Sequence, residues 1–368
     1  MGSSPCAVNF AGLHDKSKLI GISTVGGNQT LEKVTKNALN GLYVMGLKDV
    51  PCVAGSEHAL MSMIVPCPEI HGDSGLDTKI GYVWPQHGLE PVKGKAVFVM
   101  AETILAQPKR VHLIATGRLT NIALLLSVCP EVMRNIKQIS IMGGALTRGN
   151  THPVAEFNIQ GDPEAAQIVF NFGCSPEQYA AILNTYPDLA TNLQPTPVYM
   201  KAPMPLPATT KTAEDVLGAH VPVHDLRVPV ALVPLEVTHT VLVNEAVHAA
   251  VNAACAGRAS GYGTLCSALL TFFADTYREV FKFNHGPPLH DPVAVAYALC
   301  PRLFSATFMR VDVECGQGHC TGQTVADIWG QTGRVPNVIV TEVVDVDAFW
   351  AEMCQCIGAA AAQSPLKG

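Results

Sequence analysis

A strand, a helix and a second strand are predicted by the stretch "RVHLIATGRLTNIALLLSVCPEVMRNIKQISIMGGA", residues 110–145. Short apolar runs at 110–117 and 137–145 both lead into glycine, and the apolar run "IALLLSV" between them follows the polar segment "RLTN". A strand, a crossover helix and a second strand form the unit from which parallel sheets are built. This stretch therefore predicts an α/β fold.

The same alternation continues on both sides of this unit. Further strands are predicted at 18–28, 49–55, 228–239, 309–315 and 337–344, and helices at 30–47, 162–172, 269–281 and 290–299. Asp162 and Pro163 stand where a helix is capped and begins, since proline is tolerated in the first turn. The chain is thus predicted to be α/β, with an open, mostly parallel Rossmann-like sheet and helices on both faces.

One domain is predicted over residues 1–360, followed by a tail at 361–368. Residues 174–227 are dense in proline and threonine and lack periodicity, so we expect a poorly ordered insertion there, with the least order at about 185–225. The alanine-rich end after Gly358 is expected to fray.

Composition excludes several classes of protein. The 368 residues are 48% hydrophobic and carry a net charge of −6 without a basic run, which argues against a nucleic-acid partner. No apolar run has the length of a membrane span and the start lacks a secretory pattern, so we expect no membrane partner and a cytoplasmic protein. "MGSSPC" has Cys6 where a myristoylation signal has serine or threonine, so lipidation is not predicted.

The cysteines and glycines argue against two further kinds of site. The 12 cysteines are scattered without a C-x-x-C pair, which favours reduced thiols over disulfides or zinc. "TVGGN" and "IMGGA" follow strands but do not match G-x-G-x-x-G or the P-loop, so a dinucleotide-binding dehydrogenase is not predicted.

Polar residues after the predicted strands are the candidates for a site, because ligands of open α/β sheets bind at the carboxyl ends of the strands. Asn28 and Thr116 follow two strands, and the pair His290–Asp291 precedes a late helix, where a cap and a site are compatible. His71 belongs to a glycine-punctuated loop or contacts a leaving group.

Amide and carboxylate groups follow the strand at 137–145. Asn150, Glu156 and Asn158 offer the donors and acceptors that vicinal hydroxyls need. The alternative is that Asn150 serves a turn and that Glu156 and Asn158 stabilise a loop.

Several motifs in order resemble the inosine-uridine-preferring nucleoside hydrolase family. They are "GISTVGGN" (21–28), "HGDSGLD" (71–77), "ATGRLTNIALLL" (115–126), "IKQISIMGGA" (136–145), "GNTHPVAEFNIQGDPEAAQIVF" (149–170), "LVPLEVTHTVLV" (232–243) and "PPLHDPVAVAYAL" (287–299). The resemblance runs from about Leu19 to at least Cys315, interrupted by the insertion. It implies hydrolysis of the N-glycosidic bond of purine or pyrimidine ribonucleosides, by a water molecule that a calcium ion orients.

The resemblance also assigns roles to particular residues. Asp291, through its carboxylate, and Thr116, through its main-chain carbonyl, match calcium ligands. His290 matches the residue that contacts the ribose or assists the leaving base, and is the catalytic candidate. The substrate-binding candidates are Asn28, Asn150, Glu156 and Asn158 at the ribose, Met142 and Phe157 as pocket lining, and His71 and Tyr277 on the base side. The implied partners are a small ribonucleoside and further copies of the chain, as a homodimer or homotetramer.

One departure limits what the resemblance implies. Family members begin with a strand that ends in an Asp-x-Asp-x-x-x-Asp-Asp cluster, which supplies most calcium ligands and the general base, and this sequence contains no such cluster. Asp15 stands too late to replace it, and Arg118 occupies a position where the family usually has proline. We therefore expect a sheet without its first strand, weak calcium binding and impaired hydrolysis.

Three hypotheses remain open from the sequence. The first is an impaired ribonucleoside hydrolase whose chain is incomplete, and the second is a catalytically inactive homologue that binds a nucleoside or a partner subunit. The third is an unrelated α/β enzyme that uses His290 as a base, which the ordered motifs disfavour.

Overall fold

The strands form two separate sheets in the computed structural model, which describes residues 3–63, 65–78, 80–108, 111–195, 221–257 and 260–366. The strands are β1 Ile22–Thr24, β2 Cys52–Ala54, β3 Val111–Ala115, β4 Ile136–Met142, β5 Asn192–Gln194, β6 Val230–Val233, β7 Phe304–Val313, β8 Thr324–Asp327 and β9 Val338–Val344. The small sheet pairs β1 with β2 in parallel. The large sheet has the order β3-β4-β6-β9-β7-β5, with β8 paired to β7.

Most neighbours in the large sheet are parallel. The pairs β3–β4, β4–β6, β6–β9 and β5–β7 are parallel, whereas β7 is antiparallel to both β9 and β8. The open and mostly parallel α/β sheet predicted from the sequence is therefore confirmed.

Helices of very different lengths connect the strands. They are α1 Ser3–Leu13, α2 Leu31–Val44, α3 Pro68–His71, α4 Ala96–Leu105, α5 Thr120–Val128, α6 Phe157–Gln160, α7 Pro163–Asn171, α8 Pro176–Thr185, α9 Leu235–Thr238, α10 Glu245–Cys255, α11 Ser260–Phe281, α12 Asp291–Leu299 and α13 Val346–Gln363. No described helix combines the length and the apolarity that crossing a membrane requires.

The core lies on both faces of the large sheet, as β6 shows. Its four residues are all buried; Val230 and Leu232 pack into one apolar cluster, and Ala231 and Val233 pack into the other. Successive side chains of a strand point to opposite faces, so a strand covered on both faces is a continuous apolar run. Helices α1, α12 and α13 lie with the second cluster, whereas α5 and α7 lie with the first.

Two predicted helix starts have different outcomes. Asp162 is the N-cap of α7, where its carboxylate accepts a hydrogen bond from the Ala165 N–H at 3.2 Å, as predicted. Asp291 is not the N-cap of α12, because the helix begins at Asp291 itself and His290 occupies the N-cap position without a side-chain cap bond. The predicted cap role of Asp291 is therefore wrong, although Pro292 does stand in the first turn.

Other boundaries also differ from the prediction. The strand predicted at 228–239 ends at Val233, and proline at 234 starts the short helix α9. The insertion predicted to be poorly ordered at 174–227 contains α8 and β5, which pairs with β7. Residues 196–220 of that insertion lie outside the described residues. The tail expected to fray after Gly358 continues α13 to Gln363.

The sheet is interrupted between β1 and β3, next to the position where the sequence predicts a missing strand. A cleft separates the two strands, with residues 19–28 on one side and 111–118 on the other; we call it the β1–β3 cleft. Asn121 of α5 connects the two parts, because its Nδ2 donates to the Thr24 carbonyl at 2.8 Å and its Oδ1 accepts from the Ser56 N–H at 2.8 Å.

Candidate active site

A cavity of about 820 Å³, open mouth included, lies at the carboxyl ends of β1, β3 and β4. All the site residues proposed from the sequence line it, namely Asn28, His71, Thr116, Met142, Asn150, Glu156, Phe157, Asn158, Tyr277, His290 and Asp291. They come from distant parts of the chain, and the parallel strands bring them to one edge of the sheet.

Glu156 is a buried carboxylate that lines the cavity. Its Oε2 accepts hydrogen bonds from the Gly144 N–H at 2.9 Å and from the Ile159 N–H at 3.2 Å, so it also caps α6. Burial raises the pKa of Glu156 to about 7; the backbone N–H groups oppose this rise, and the nearby Asp291 carboxylate adds to it. Glu156 therefore titrates near neutral pH.

Two asparagines shape the same wall. The Asn150 Oδ1 accepts a hydrogen bond from the Phe157 N–H at 2.9 Å, which fixes the loop before α6. The Asn158 Nδ2 donates to the Met142 carbonyl at 3.1 Å. The loop-stabilising interpretation of Asn150 and Glu156 is thus correct, and the same residues line the cavity.

Tyr277 and His290 form a hydrogen-bonded pair that also lines the cavity. The Tyr277 hydroxyl lies 3.0 Å from Nε2 of His290, and Thr238 Oγ1 lies 2.8 Å from Nδ1. Thr238 Oγ1 also lies 3.4 Å from the Leu235 carbonyl. The imidazole thus has a hydroxyl partner at each ring nitrogen, and in the neutral ring one nitrogen donates while the other accepts.

The pKa values keep this pair neutral. Burial, with a smaller effect of the neighbouring His239, lowers the pKa of His290 to about 3. Burial and the carboxylates of Asp291 and Glu156 hold the pKa of Tyr277 well above its ordinary value. Across the physiological range the His290 imidazole is therefore neutral, and the Tyr277 phenol stays protonated.

His71 lies at the end of α3, beside Phe157. Its ring centroid is 6.5 Å from that of Phe157, and burial lowers the pKa of His71 to about 2. A neutral imidazole against an aromatic ring suits the edge of a planar base.

The oxygen donors do not form a calcium site on their own. Asp291 and Glu156 are the carboxylates among the described lining residues, and the Thr116 carbonyl is the main-chain donor that the sequence predicts. Calcium takes about 6 to 8 oxygen ligands. Glu156 already accepts two backbone hydrogen bonds, so the donors present do not fit the ion.

One group of potential metal ligands was not predicted from the sequence. Among the described residues, His14, Cys300 and Glu352 place one ligand atom each within 4.8 Å of one another. Cys300 follows the C-terminal end of α12, opposite the end that carries His290 and Asp291. His14 and Glu352 lie far apart in the sequence, so the spacing of residues along the chain does not reveal this group.

Sequence reasoning also missed residues around His290 and Tyr277. Thr238 and His239 lie within a segment predicted as strand, yet Thr238 contacts His290 and the ring of His239 lies 5.5 Å from the ring of His290. The apolar residues Leu270, Phe273 and Phe281 of α11 line the cavity beside Tyr277. These residues lie on the helix predicted at 269–281, and their spacing along that helix is the sequence signal that could have identified them.

The sequence is similar to those of known nucleoside hydrolases. The profile of a family described as "Inosine-uridine preferring nucleoside hydrolase" matches residues 6–203 and 210–351. A probable ribonucleoside hydrolase of Dictyostelium discoideum is 33% identical over 349 residues, which cover 92% of this chain and 86% of that protein. A pyrimidine-specific ribonucleoside hydrolase of Citrobacter koseri is 32% identical over 326 residues, covering 89% and 84%.

Solved structures show the same fold. A purine-preferring ribonucleoside hydrolase from Gardnerella vaginalis superposes with a TM-score of 0.75 at 24% identity, covering 98% of this chain and 96% of that one. A plant nucleoside hydrolase superposes with a TM-score of 0.72 at 23% identity, covering 97% and 96%. By the extent of the profile match and by its relatives, the chain belongs to the inosine-uridine preferring nucleoside hydrolase family.

Proposed function

We propose that this chain binds a ribonucleoside in the cavity and acts on its N-glycosidic bond, releasing the free base and ribose. The observation that supports the proposal is the meeting of every predicted site residue in one cavity. The polar wall of Asn28, Asn150, Glu156 and Asn158 suits the ribose, because vicinal hydroxyls need donors and acceptors together. The apolar and aromatic side of α11 suits the base.

The Tyr277–His290 pair faces the departing base in this proposal. A base that leaves from ribose carries away the bonding electrons and needs a proton or a hydrogen bond. The Tyr277 hydroxyl shares a hydrogen bond with Nε2 of the neutral His290 imidazole. In this proposal Nε2–H of His290 donates to the hydroxyl oxygen, so the Tyr277 hydroxyl proton is left to donate a hydrogen bond to the departing base.

We propose further that turnover is impaired. An attacking water molecule needs a base, and the carboxylates among the described lining residues are Glu156, which holds two backbone N–H groups, and Asp291. Calcium, the ion implied by the resemblance, would polarise the water when bound, but the donors present do not fit it. Nucleoside binding with little release of ribose is the second candidate function. It is favoured because Glu156 and Asp291 are the only carboxylates among the described lining residues.

The test measures binding and turnover separately. Titration calorimetry with inosine and with uridine gives affinity and base preference, and a reducing-sugar assay gives ribose release. We expect binding of at least one nucleoside, and Asn158→Ala should weaken it about tenfold by removing a ribose hydrogen bond. Asn192→Ala, at an exposed strand position, is the matched control. Absence of binding for both nucleosides would refute the proposal.

A cytoplasmic location and a homodimeric or homotetrameric assembly are part of the proposal. All 12 cysteines are free thiols, which supports a reducing compartment such as the cytoplasm. The predicted homodimer or homotetramer derives from the family resemblance, and light scattering of the purified chain would test it.

A further inference from the structure

His14, Cys300 and Glu352 lie together where three helices meet. His14 follows the last residue of α1, Cys300 is the C-cap of α12, and Glu352 lies within α13. His14 and Cys300 are buried, and the Glu352 side chain is 22% exposed. Among the described residues, these three each place one ligand atom within 4.8 Å of the other two. We call them the helix-end cluster.

The distances within the helix-end cluster suit a tetrahedral metal ion. His14 Nε2 lies 3.3 Å from Glu352 Oε2 and 3.7 Å from Cys300 Sγ. A charge-assisted N–H···O hydrogen bond is usually shorter, at about 2.7 to 2.9 Å. In a tetrahedron with zinc–ligand bonds of about 2.0 to 2.3 Å, the N···O edge is about 3.4 Å and the N···S edge is about 3.6 Å. The observed separations therefore match the edges of such a tetrahedron.

The types of ligand atom select the ion. Thiolate, imidazole and carboxylate groups are the side-chain ligands of zinc, whereas calcium and magnesium take oxygen ligands. The Cys300 thiolate and the Glu352 carboxylate together would cancel the two positive charges of the ion, and the His14 imidazole would stay neutral. A site with a single cysteine does not need the paired cysteines that the sequence lacks.

Neighbouring charged groups leave the ligand atoms available. Arg302 Nη2 lies 3.5 Å from Glu352 Oε1, which is the carboxylate oxygen that does not face His14. Burial raises the pKa of the Cys300 thiol, and Lys16, whose Nζ lies 3.9 Å from Sγ, opposes that rise. A zinc ion that binds the sulfur displaces the thiol proton.

The His14 ring is supported by an aromatic contact and by its Nδ1 partners. Its centroid lies 5.4 Å from that of the buried Phe10, which in turn packs on Phe349 of α13. Nδ1 lies 3.2 Å from Asp15 Oδ1 and 3.2 Å from the Lys16 main-chain nitrogen. When Nδ1–H donates to Asp15, the lone pair of Nε2 is free for a metal, and zinc-bound histidines commonly have such a carboxylate partner.

We propose that His14, Cys300 and Glu352 bind one zinc ion, with a water molecule as the fourth ligand. The bound ion would join the C-terminal ends of α1 and α12 to α13. The other end of α12 carries His290 and Asp291. The zinc site is separate from the nucleoside cavity, and the proposal does not depend on hydrolysis.

The experiment uses the full chain, stripped of metal with a chelator and kept reduced. Titration with zinc against a chromophoric chelator gives the affinity and the number of ions bound. Cobalt(II) reports on the ligands, because a cobalt–thiolate bond has a near-ultraviolet charge-transfer band and a tetrahedral site has intense visible bands. The test variants are Cys300→Ala and Glu352→Gln. The matched controls are His319→Gln and Cys320→Ser, which alter an exposed histidine and an exposed cysteine.

We expect one zinc ion per chain and a tetrahedral cobalt spectrum with a thiolate band. Cys300→Ala should abolish that band and weaken zinc binding about a hundredfold or more, since even changes around metal ligands cost about 10- to 100-fold. Glu352→Gln should weaken binding about tenfold or more and keep the band. Both controls should bind zinc as the unaltered chain does. Zinc should raise the midpoint of thermal unfolding of the unaltered chain but not of Cys300→Ala, because the ion stabilises the folded state to which it binds.

The proposal is overturned if the unaltered chain binds no zinc, if a control variant loses the binding, or if Cys300→Ala keeps the charge-transfer band. Should the test variants not fold, anomalous scattering at the zinc edge from crystals of the unaltered chain decides. A peak between the side chains of His14, Cys300 and Glu352 supports the proposal, and a peak only elsewhere, or none, overturns it.

Discussion

The hydroxyl of Tyr277, on α11, lies 3.0 Å from Nε2 of His290, at the start of α12. The two residues are 13 positions apart, and the start of α12 and the preceding helix α11 bring them together in the lining of the cavity. Burial keeps the imidazole neutral and the phenol protonated. The pair therefore depends on one hydrogen bond, from a neutral donor to a neutral acceptor.

Tyr277→Phe should lower the free energy of unfolding by about 1 to 3 kcal/mol, because Nε2 of the buried His290 loses its hydrogen-bond partner. The same change should weaken nucleoside binding. The control is Tyr43→Phe, since Tyr43 also stacks on a histidine, His87, at 5.0 Å but lies outside the cavity. Denaturant unfolding and calorimetry measure both effects, and equal losses in the two variants would contradict the assignment.

Glu156→Gln should change how stability depends on pH. The folded pKa of Glu156 is about 7, above its ordinary 4.5, so its protonated form favours folding below pH 4.5. That contribution is lost as pH rises from 4.5 to 7 and amounts to about 3 kcal/mol. The free energy of unfolding of the unaltered chain minus that of the variant should fall over this interval and then stay constant. A flat difference curve would contradict the prediction.

The buried histidines should destabilise the fold in acid. His71 and His290 have folded pKa values of about 2 and about 3, below the ordinary 6.5. Their neutral forms favour folding above pH 6.5, and this contribution is lost as pH falls toward those values. Replacing His290 by asparagine should reduce the acid slope by about 1.4 kcal/mol per pH unit. Urea unfolding between pH 4 and 7, about the range where acid effects concentrate, measures it.

Calcium should bind weakly, with a dissociation constant on the order of 1 mM or higher, because the cavity offers few free oxygen donors. A chelator should leave the midpoint of thermal unfolding unchanged. Calorimetry and thermal melts with and without the ion test both statements. Stoichiometric binding in the micromolar range would show that donors beyond Asp291 and Thr116 complete the site.

Asp162→Ala should destabilise the fold more than Asn244→Ala does. Both residues are N-caps, but Asp162 is fully buried and also accepts from the Leu60 N–H at 3.0 Å and from Thr120, whereas Asn244 is exposed and caps α10 alone. We expect losses of about 3 kcal/mol and about 1 kcal/mol, respectively. Equal losses in denaturant unfolding would show that burial of the cap does not matter.

The sequence predicts a strand or helix correctly where the pattern of apolar residues and the turn residues at its ends indicate the same element. β6 is a continuous apolar run because helices cover both faces, and this pattern is visible without coordinates. The run at 228–239 was extended too far because proline at 234 is compatible with both a strand end and a helix start. Helix α8 was missed because its capping box, at Ser175 and Gln178, lies within a segment rich in proline and threonine.

The sequence predicts which residues line the cavity but not the hydrogen bonds among them. The motifs identified the lining residues, since each follows a strand or precedes a helix at the same edge of the sheet. The hydrogen bond between Thr238 and His290 depends on how α9 and α12 pack, which no local pattern encodes. The burial of Arg118 likewise depends on packing that no local pattern encodes.

Asn121 has a mechanical consequence for the cavity. No backbone ladder joins the small sheet to the large one among the described residues, and the Asn121 amide, on α5, bonds to Thr24 and to Ser56 beside the small sheet. Asn28 and Thr116 thus belong to two sheets that side-chain bonds and helix packing hold together. The distance between these two lining residues therefore depends on side-chain contacts such as that of Asn121, and not on a strand pair.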